Sequence, residues 1–394
     1  DVLQLNEIVA IGYGIQKKSD LTGSVASVKA ESLKSMPVTR VDDALQGKAA
    51  GVVVLNNSGQ PGAAPVIRVR GLATVNGGDP LVIVDGVSGG SLADLNPSDI
   101  ESIEVLKDAA SQGIYGSAGG NGVILVTTKH GKEGKIRVNF DAFAGIQQPW
   151  AKNFSISNAQ EYAAIYNQYQ TGTLLKPEYF PSDGTNYLDP KTNEVLTNTV
   201  WLDEIFRTAM MHNYNVSLSG GNKISNVFFS LGYSGQEGTI LKTFQNKFTA
   251  RLNSDHKITK WLTIGENINF TSTVTASQGE RNEYGSPIAT SVQMLPIVPV
   301  FAPAETDGTQ NYAFKGAGLA SNVTNPLAQI NYNNNRNRGT SVFGNVYLRA
   351  DIIKGLSFET RYGMNYGPST FRSYTPAFTI GASNDPSASQ SVAL

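Results

Sequence analysis

From Ile136 to Tyr366, apolar residues recur at every second position in short runs, and the connections between the runs alternate between long and short. In the first run Ile136, Val138, Phe140, Ala142, Ala144 and Ile146 share one face, while Arg137, Asn139, Asp141 and Gln147 share the other. A period of two is the signature of a pleated strand with unlike faces. The pattern returns at 214–218, 227–233, 248–252, 262–270, 342–348 and 356–366, which makes seven expected strands. Their connections run over 148–212, 219–225, 237–245, 254–260, 272–339 and 351–355. Short turns on one side and long loops on the other are expected of an outer-membrane barrel. A soluble β-sandwich also has period-two strands, but it does not require that alternation. Tyr and Phe near the strand ends fit interfacial aromatic girdles. Glu266 is the exception, a charge on the otherwise apolar face of the fifth strand.

Composition is compatible with this reading. A chain of 394 residues with 40% hydrophobic content exceeds one ordinary domain, so two units are expected. A formal charge of -1 and a pI near 6.4 argue against nucleic-acid binding. The absence of cysteine excludes disulfides and thiolate metal sites. The longest apolar stretch, 294–304, is broken by Pro296, Pro299 and Pro303 and is too short for a spanning helix. A barrel needs no such helix, and a mean hydropathy of -0.19 is what alternating strands produce. The sequence opens directly on mature-looking residues, without a secretory signal pattern.

Before the strands lies a different kind of unit. Residues 80–87 form an apolar run of buried-strand length closed by Asp85-Gly86, a turn signal. In 99–110, Ile100, Ile103 and Leu106 recur at helical spacing, while Ile103 and Val105 equally begin a strand. A glycine-dense turn, 116–122, feeds a β-branched strand at 123–129. It lacks the Gly-Lys-Ser/Thr ending and the following helix of a phosphate loop, so turn chemistry suffices. Upstream, Thr39 is a candidate N-cap for a helix over 41–49 with Asp42 and Asp43 in its first turn, and Gly51 stops it. Strands are expected at 52–55 and 66–70, the latter alternating apolar residues with Arg68 and Arg70.

Four pieces of this N-terminal region carry a family resemblance: 6–14 (Asn-Glu-Ile-Val-Ala-Ile-Gly-Tyr-Gly), 67–71 (Ile-Arg-Val-Arg-Gly), Asp85-Gly86, and the run from Tyr115-Gly116-Ser117 to Asn121-Gly122-Val123-Ile124. In this order and spacing they resemble the plug domain of TonB-dependent outer-membrane transporters, and within them the SusC/RagA-like transporters of Bacteroidetes. The resemblance implies a mixed fold: a small α/β plug domain followed by the antiparallel strands of a large transmembrane β-barrel. The expected division is a TonB-box segment at 1–14, a plug at 15–131 and early barrel at 132–394. An eight-stranded barrel holds only side chains, and a plugged transporter takes about 22 strands, so seven leave the barrel incomplete. The chain is therefore expected to end within an extracellular loop.

The resemblance also assigns roles. Glu7, Ile8, Val9, Ala10 and Ile11 sit where the family carries the TonB box, an extended, unpaired segment that a partner captures by strand addition. Arg68 and Arg70 either dock the plug to acids on the barrel wall or are solvated or salt-bridged. Substrate would meet the plug's outer loops, with Gln60, Asn76 and Asp79 as candidate hydrogen-bonding groups. The implied function is active nutrient import across the bacterial outer membrane, powered by TonB with ExbB and ExbD. A SusD-like surface lipoprotein is the implied partner, an oligosaccharide or peptide the cargo, and a dimer of transporter–lipoprotein pairs the larger assembly. A siderophore or vitamin receptor shares the plug but not the lipoprotein; a passive porin or a surface adhesin would differ in class.

Catalysis finds little support. His130, His212 and His256 all fall in or beside expected connections, and no His pair has ligand spacing, so neither metal nor cofactor is expected. Asp42, Asp43, Asp99, Glu101 and Glu104 read as helix starts and solvated faces.

Overall fold

The computed structural model describes residues 8–11, 14–17, 25–30, 32, 39–69, 78–108, 112–150, 156–169, 197–280, 285–301, 312–313, 323–380, 383–385 and 388–393. In chain order the N-terminal unit contains β1 (Ile8–Ile11), β2 (Gly14–Lys17), β3 (Val25–Lys29), α1 (Val41–Ala44), β4 (Val52–Leu55), β5 (Val66–Val69), β6 (Leu81–Val84), β7 (Val87–Ser88), β8 (Ile100–Leu106) and β9 (Val123–Thr128). Five of them form one sheet in the order β3-β8-β9-β6-β7, with β6 and β9 parallel and the other neighbours antiparallel. β1 with β2, and β4 with β5, are separate hairpins. Val41, Leu45, Ile100, Ile103, Val105 and Ile124 are buried together in the core of this unit.

The helical spacing at 100–106 is a coincidence of burial. Ile100, Ile103, Val105 and Leu106 are all buried in β8, a strand between two neighbours, and three of them, Ile100, Ile103 and Val105, are β-branched, which suits a strand. α1 is shorter than the expected 41–49 helix and its N-cap is Arg40, without a side-chain cap. The Thr39 hydroxyl bonds Gln236 at 3.3 Å instead. Gly51 does adopt a positive φ of 77°, which ends the turn that follows α1. Gly122 is held at φ 102°, and a Cβ there would lie 2.6 Å from Val69 Cβ, so the glycine admits the approach of β5.

The second unit is an antiparallel wall. Its strands are β10 (Gly134–Gln147), β11 (Ala209–Gly221), β12 (Ser225–Glu237), β13 (Phe244–Lys257), β14 (Leu262–Ala276), β15 (Asn334–Ile353), β16 (Leu356–Tyr366), β17 (Ser369–Thr375), β18 (Phe378–Ile380), β19 (Ser383–Asp385) and β20 (Ser389–Ala393). All but the β18–β19 hairpin belong to one nine-stranded sheet, which does not close. β16 and β17 both pair with β15, so they are halves of one partner interrupted at Gly367-Pro368. All seven expected strands are present; β17 and β20 lie beyond them, where an extracellular loop is expected because their short polar sequences carry no alternation.

Connections follow the expected asymmetry. Residues 222–224, 258–261 and 354–355 turn tightly on one side, while 148–208 and 277–333 are long on the other. The long ones fold on themselves through α2 (Ala159–Tyr169), α3 (Trp201–Ile205), α4 (Pro287–Gln293) and α5 (Pro326–Tyr332). Trp201, Met294, Ile297 and Val298 form one buried cluster there, and Leu202, Ile205, Ile240 and Ile330 another. No helix among the described residues is long and apolar enough to cross a membrane.

The two faces of the wall are chemically opposite. Ile136, Val138, Phe140, Val216, Leu218 and Leu231 are exposed on the outward face. Asn213, Asn215, Ser217, Ser230, Thr249 and Asn253 are buried on the inward face, against the plug. Apolar outward and polar inward is the barrel alternation, and the inward groups are buried only because the plug covers them.

Candidate functional site at the interface of plug and wall

Because Asp85 and Gly86 both take positive φ, 47° and 81°, the β6–β7 hairpin turns tightly and presents the Asp85 side chain to the wall. Arg251, an inward residue of β13, donates to Asp85 Oδ2 at 3.2 Å, and the side chains are only 2% and 5% exposed. Thr128 donates its N–H to Asp85 Oδ1 at 2.9 Å and its hydroxyl to Oδ2 at 2.7 Å. Arg251 also donates to Thr128 Oγ1 at 3.1 Å and to Asn269 at 3.3 Å. Asn253 Nδ2 reaches Thr128 Oγ1 at 2.8 Å and the Lys129 carbonyl at 2.7 Å. Thus the ends of two plug strands are held by two successive inward positions of β13, Arg251 and Asn253.

A second attachment lies beside it. Ser230 donates to Asp99 Oδ2 at 2.7 Å and Asn215 Nδ2 approaches Oδ1 at 3.5 Å. Burial pushes the Asp99 carboxyl above its ordinary range, opposed by the Arg251 charge and the Ser230 bond. The acid is therefore not a solvated helix start, and neither is Asp42, which is buried and ion-paired to Arg40. Lys247 caps the plug's backbone from β13, donating to the carbonyls of Thr39, Ala93 and Leu95 at 3.0, 3.2 and 3.4 Å. At the tight-turn side His130 Nδ1 lies 3.6 Å from Asp255, which also accepts from Tyr347, and Arg361 donates to the Asp85 carbonyl. Burial opposes the imidazolium, but the Asp255 hydrogen bond and the charges of Asp85, Asp255 and Glu101 outweigh it and raise the His130 pKa. His130 sits in the joint as expected, whereas His212 and His256 lie inside β11 and β13.

The residues singled out from sequence fall elsewhere. Ile8–Ile11 is extended, but it is paired to its own hairpin partner in the register Ile8↔Lys17 to Ile11↔Gly14. Among the described residues only one of its edges is paired, in a sheet of two strands. Glu7, Arg70 and Asn76 lie outside the described residues. Arg68 donates to Asp79 at 2.7 Å, a plug-internal pair in which Asp79 is 85% exposed. Gln60 meets the wall instead of open space: its Nε2 donates to the Gln278 carbonyl at 2.8 Å and its Oε1 accepts from the Gln278 N–H at 2.7 Å. Ser58 donates to Glu280 at 2.7 Å next to it. This is a two-way link between the plug's outer loop and the base of the long loop 277–333.

Sequence reasoning missed Asp85, Thr128, Asp99, Lys247 and Arg251 as attachment points. A signal was present in β13, where Lys247, Thr249, Arg251 and Asn253 alternate with Phe248, Ala250 and Leu252. Two cations on the polar phase of a barrel strand require anions or carbonyls opposite. Among the described residues no group of His, Asp and Glu is arranged to hold a metal ion.

Comparison with known proteins agrees with this architecture. Residues 17–123 match the TonB-dependent Receptor Plug Domain family. TonB-dependent receptor P26 of Formosa agariphila is 37% identical over 351 residues, covering 87% of this chain and 33% of that protein. TonB-dependent receptor SusC of Bacteroides thetaiotaomicron is 31% identical over 408 residues, covering 96% of this chain and 38% of that protein. The chain thus spans little more than a third of the length of these curated relatives. Among solved structures, the RagAB peptide importer in its closed-closed state superposes with a TM-score of 0.75 at 25% identity, covering 90% of this chain and 42% of that one. The ferric citrate transporter FecA, with a TM-score of 0.52 at 11% identity, shares the fold. With its plug docked in an open, apolar-outward wall and with these relatives, the chain belongs to the SusC/RagA-like family of TonB-dependent transporters.

Proposed function

We propose that this plug and wall serve TonB-dependent import of a nutrient, an oligosaccharide or peptide, across the outer membrane. The observation that carries the reading is the buried polar interface of Asp85, Thr128 and Asp99 with Arg251, Asn253 and Ser230. Such a plug blocks passive flow, yet apart from Phe343, which packs into the plug core, it is held among the described residues by hydrogen bonds and one buried ion pair, so it can be displaced with little apolar surface exposed to water. Work for the displacement enters at 7–11, where a strand-adding partner, TonB energised by ExbB and ExbD, takes the free edge of β1. Likeness to a peptide importer supports a peptide cargo, and the SusC and RagAB relatives support a SusD-like lipoprotein closing over the long loops, in a dimer of such pairs. In this reading Asn76 and Asp79 face cargo, and Arg70 docks the plug.

The test begins with the full transporter purified from outer membranes in mild detergent, with co-purifying proteins and small molecules identified by mass spectrometry. A stoichiometric lipoprotein with peptides or an oligosaccharide is expected; a bare barrel carrying a metal chelate would move the protein to the siderophore class. The identified cargo, labelled, should then accumulate inside cells only when TonB is present. Entry without TonB would indicate a porin, and label retained outside would indicate an adhesin.

A further inference from the structure

Glu266, the charge that breaks the outward pattern of β14, ends a chain of polar groups crossing three strands. Ser225, His256, Ser254 and Glu266 all lie on the outward phase, with Ser225 opposite His256 and Ser254 opposite Glu266 in the ladders. Ser225 Oγ is 2.6 Å from His256 Nδ1, and His256 Nε2 is 2.7 Å from Ser254 Oγ. Ser254, itself 2% exposed, donates to Glu266 Oε1. Since the Ser254 proton goes to the carboxylate, Ser254 Oγ must accept from Nε2–H, and Nδ1 is left to accept from Ser225. Every group in the chain is satisfied except one: among the described residues nothing pairs with Glu266 Oε2.

The surroundings are apolar. Glu266 stands opposite Val346 on β15, and Ile268 and Val227 are exposed on the same face. It lies near one edge of the wall: four residues beyond Leu262, at about 3.3 Å each and a strand tilt of about 45°, place it roughly 9 Å above the turn 258–261. That turn carries Trp261, 54% exposed, together with exposed Ile258 and Lys260. Tryptophan at this level marks the boundary between headgroups and acyl chains. A carboxylate with a bare oxygen this near that boundary matches a cation belonging to the lipid.

We propose, on the reading above that this outward face meets the bilayer, that Ser225, His256, Ser254 and Glu266 form a headgroup site for a phospholipid bearing a primary ammonium. The ammonium donates to Glu266 Oε2. The relay through Ser254 and His256 fixes the carboxylate so that one oxygen stays turned to the lipid.

The full transporter in detergent micelles, titrated with phosphatidylethanolamine, phosphatidylcholine or phosphatidylglycerol of matched chains, tests this by native mass spectrometry. One phosphatidylethanolamine is expected to be retained about 10-fold more tightly than either competitor, as one charge-assisted bond supplies. Glu266→Gln should abolish that preference, while heat-modifiable mobility and outer-membrane fractionation stay normal. Equal retention of the three lipids overturns the proposal, whatever the variant does. So does an unchanged preference in Glu266→Gln, or loss of a Glu266-dependent dimer in place of a lipid. Failure of the wild-type protein to fractionate with the outer membrane would instead overturn the membrane reading itself.

Discussion

Arg251→Leu removes the cation bonded to the Asp85 carboxylate while keeping an apolar side chain on the same inward position of β13. The pair is 3.2 Å apart and almost wholly out of water. With Arg251 gone, Asp85 remains buried with only the Thr128 N–H and hydroxyl, and stranding one partner of such a pair costs about 3–5 kcal/mol. At about 1.4 kcal/mol per tenfold, the detached-plug population rises by roughly two to four powers of ten. Hydrogen exchange at the β9 amides of the full transporter reads this, because those amides lie in the middle of the plug sheet and exchange when the released plug opens. Adding Asp85→Asn to Arg251→Leu removes the stranded charge and should recover most of the loss. Exchange at the wild-type rate in Arg251→Leu, or a double variant as fast as the single one, would refute the reasoning.

Other outcomes follow from the same interface. Gly131→Val should prevent assembly, since a Cβ at 131 would lie 2.3 Å from the Val227 backbone nitrogen; the readout is loss of the folded, heat-modifiable band. His130 has its folded pKa raised, so its stabilisation of the docked plug is complete below about 6.5 and is lost as pH rises through the folded value. β9 exchange should therefore quicken as pH rises above about 6.5, after correction for intrinsic rates, and His130→Gln should flatten the profile. Asp99 has its pKa raised foremost by burial, so its ionised form opposes docking at neutral pH. Asp99→Asn should slow β9 exchange at pH 7, with the advantage shrinking as pH falls through the folded pKa.

The wall was legible because its information is local. Alternation at Ile136–Val138–Phe140 and at Val227–Phe229–Leu231 fixes strand and face at once, and loop lengths then orient the sheet. The plug was legible through motifs, not periodicity: β8 is buried on both sides and its spacing mimics a helix. Its attachment was not legible, because Asp85, Asp99 and Arg251 are separated by up to 166 residues and acquire meaning only when the two units meet. Gln60 was expected to face cargo for the same reason; nothing near it in sequence announces Gln278. Glu266 looked like a misfit because its partner Ser254 comes from the neighbouring strand, a relation set by register.

The central claim is that force applied at 7–11 drives import past a plug that otherwise stays closed. Val9→Pro in the full transporter tests it most directly, since proline removes a backbone donor and fixes φ in the strand that must be captured. Uptake of labelled cargo by whole cells should fall to the level of cells lacking TonB, while outer-membrane insertion and cargo binding remain normal. Normal uptake by Val9→Pro would contradict the claim.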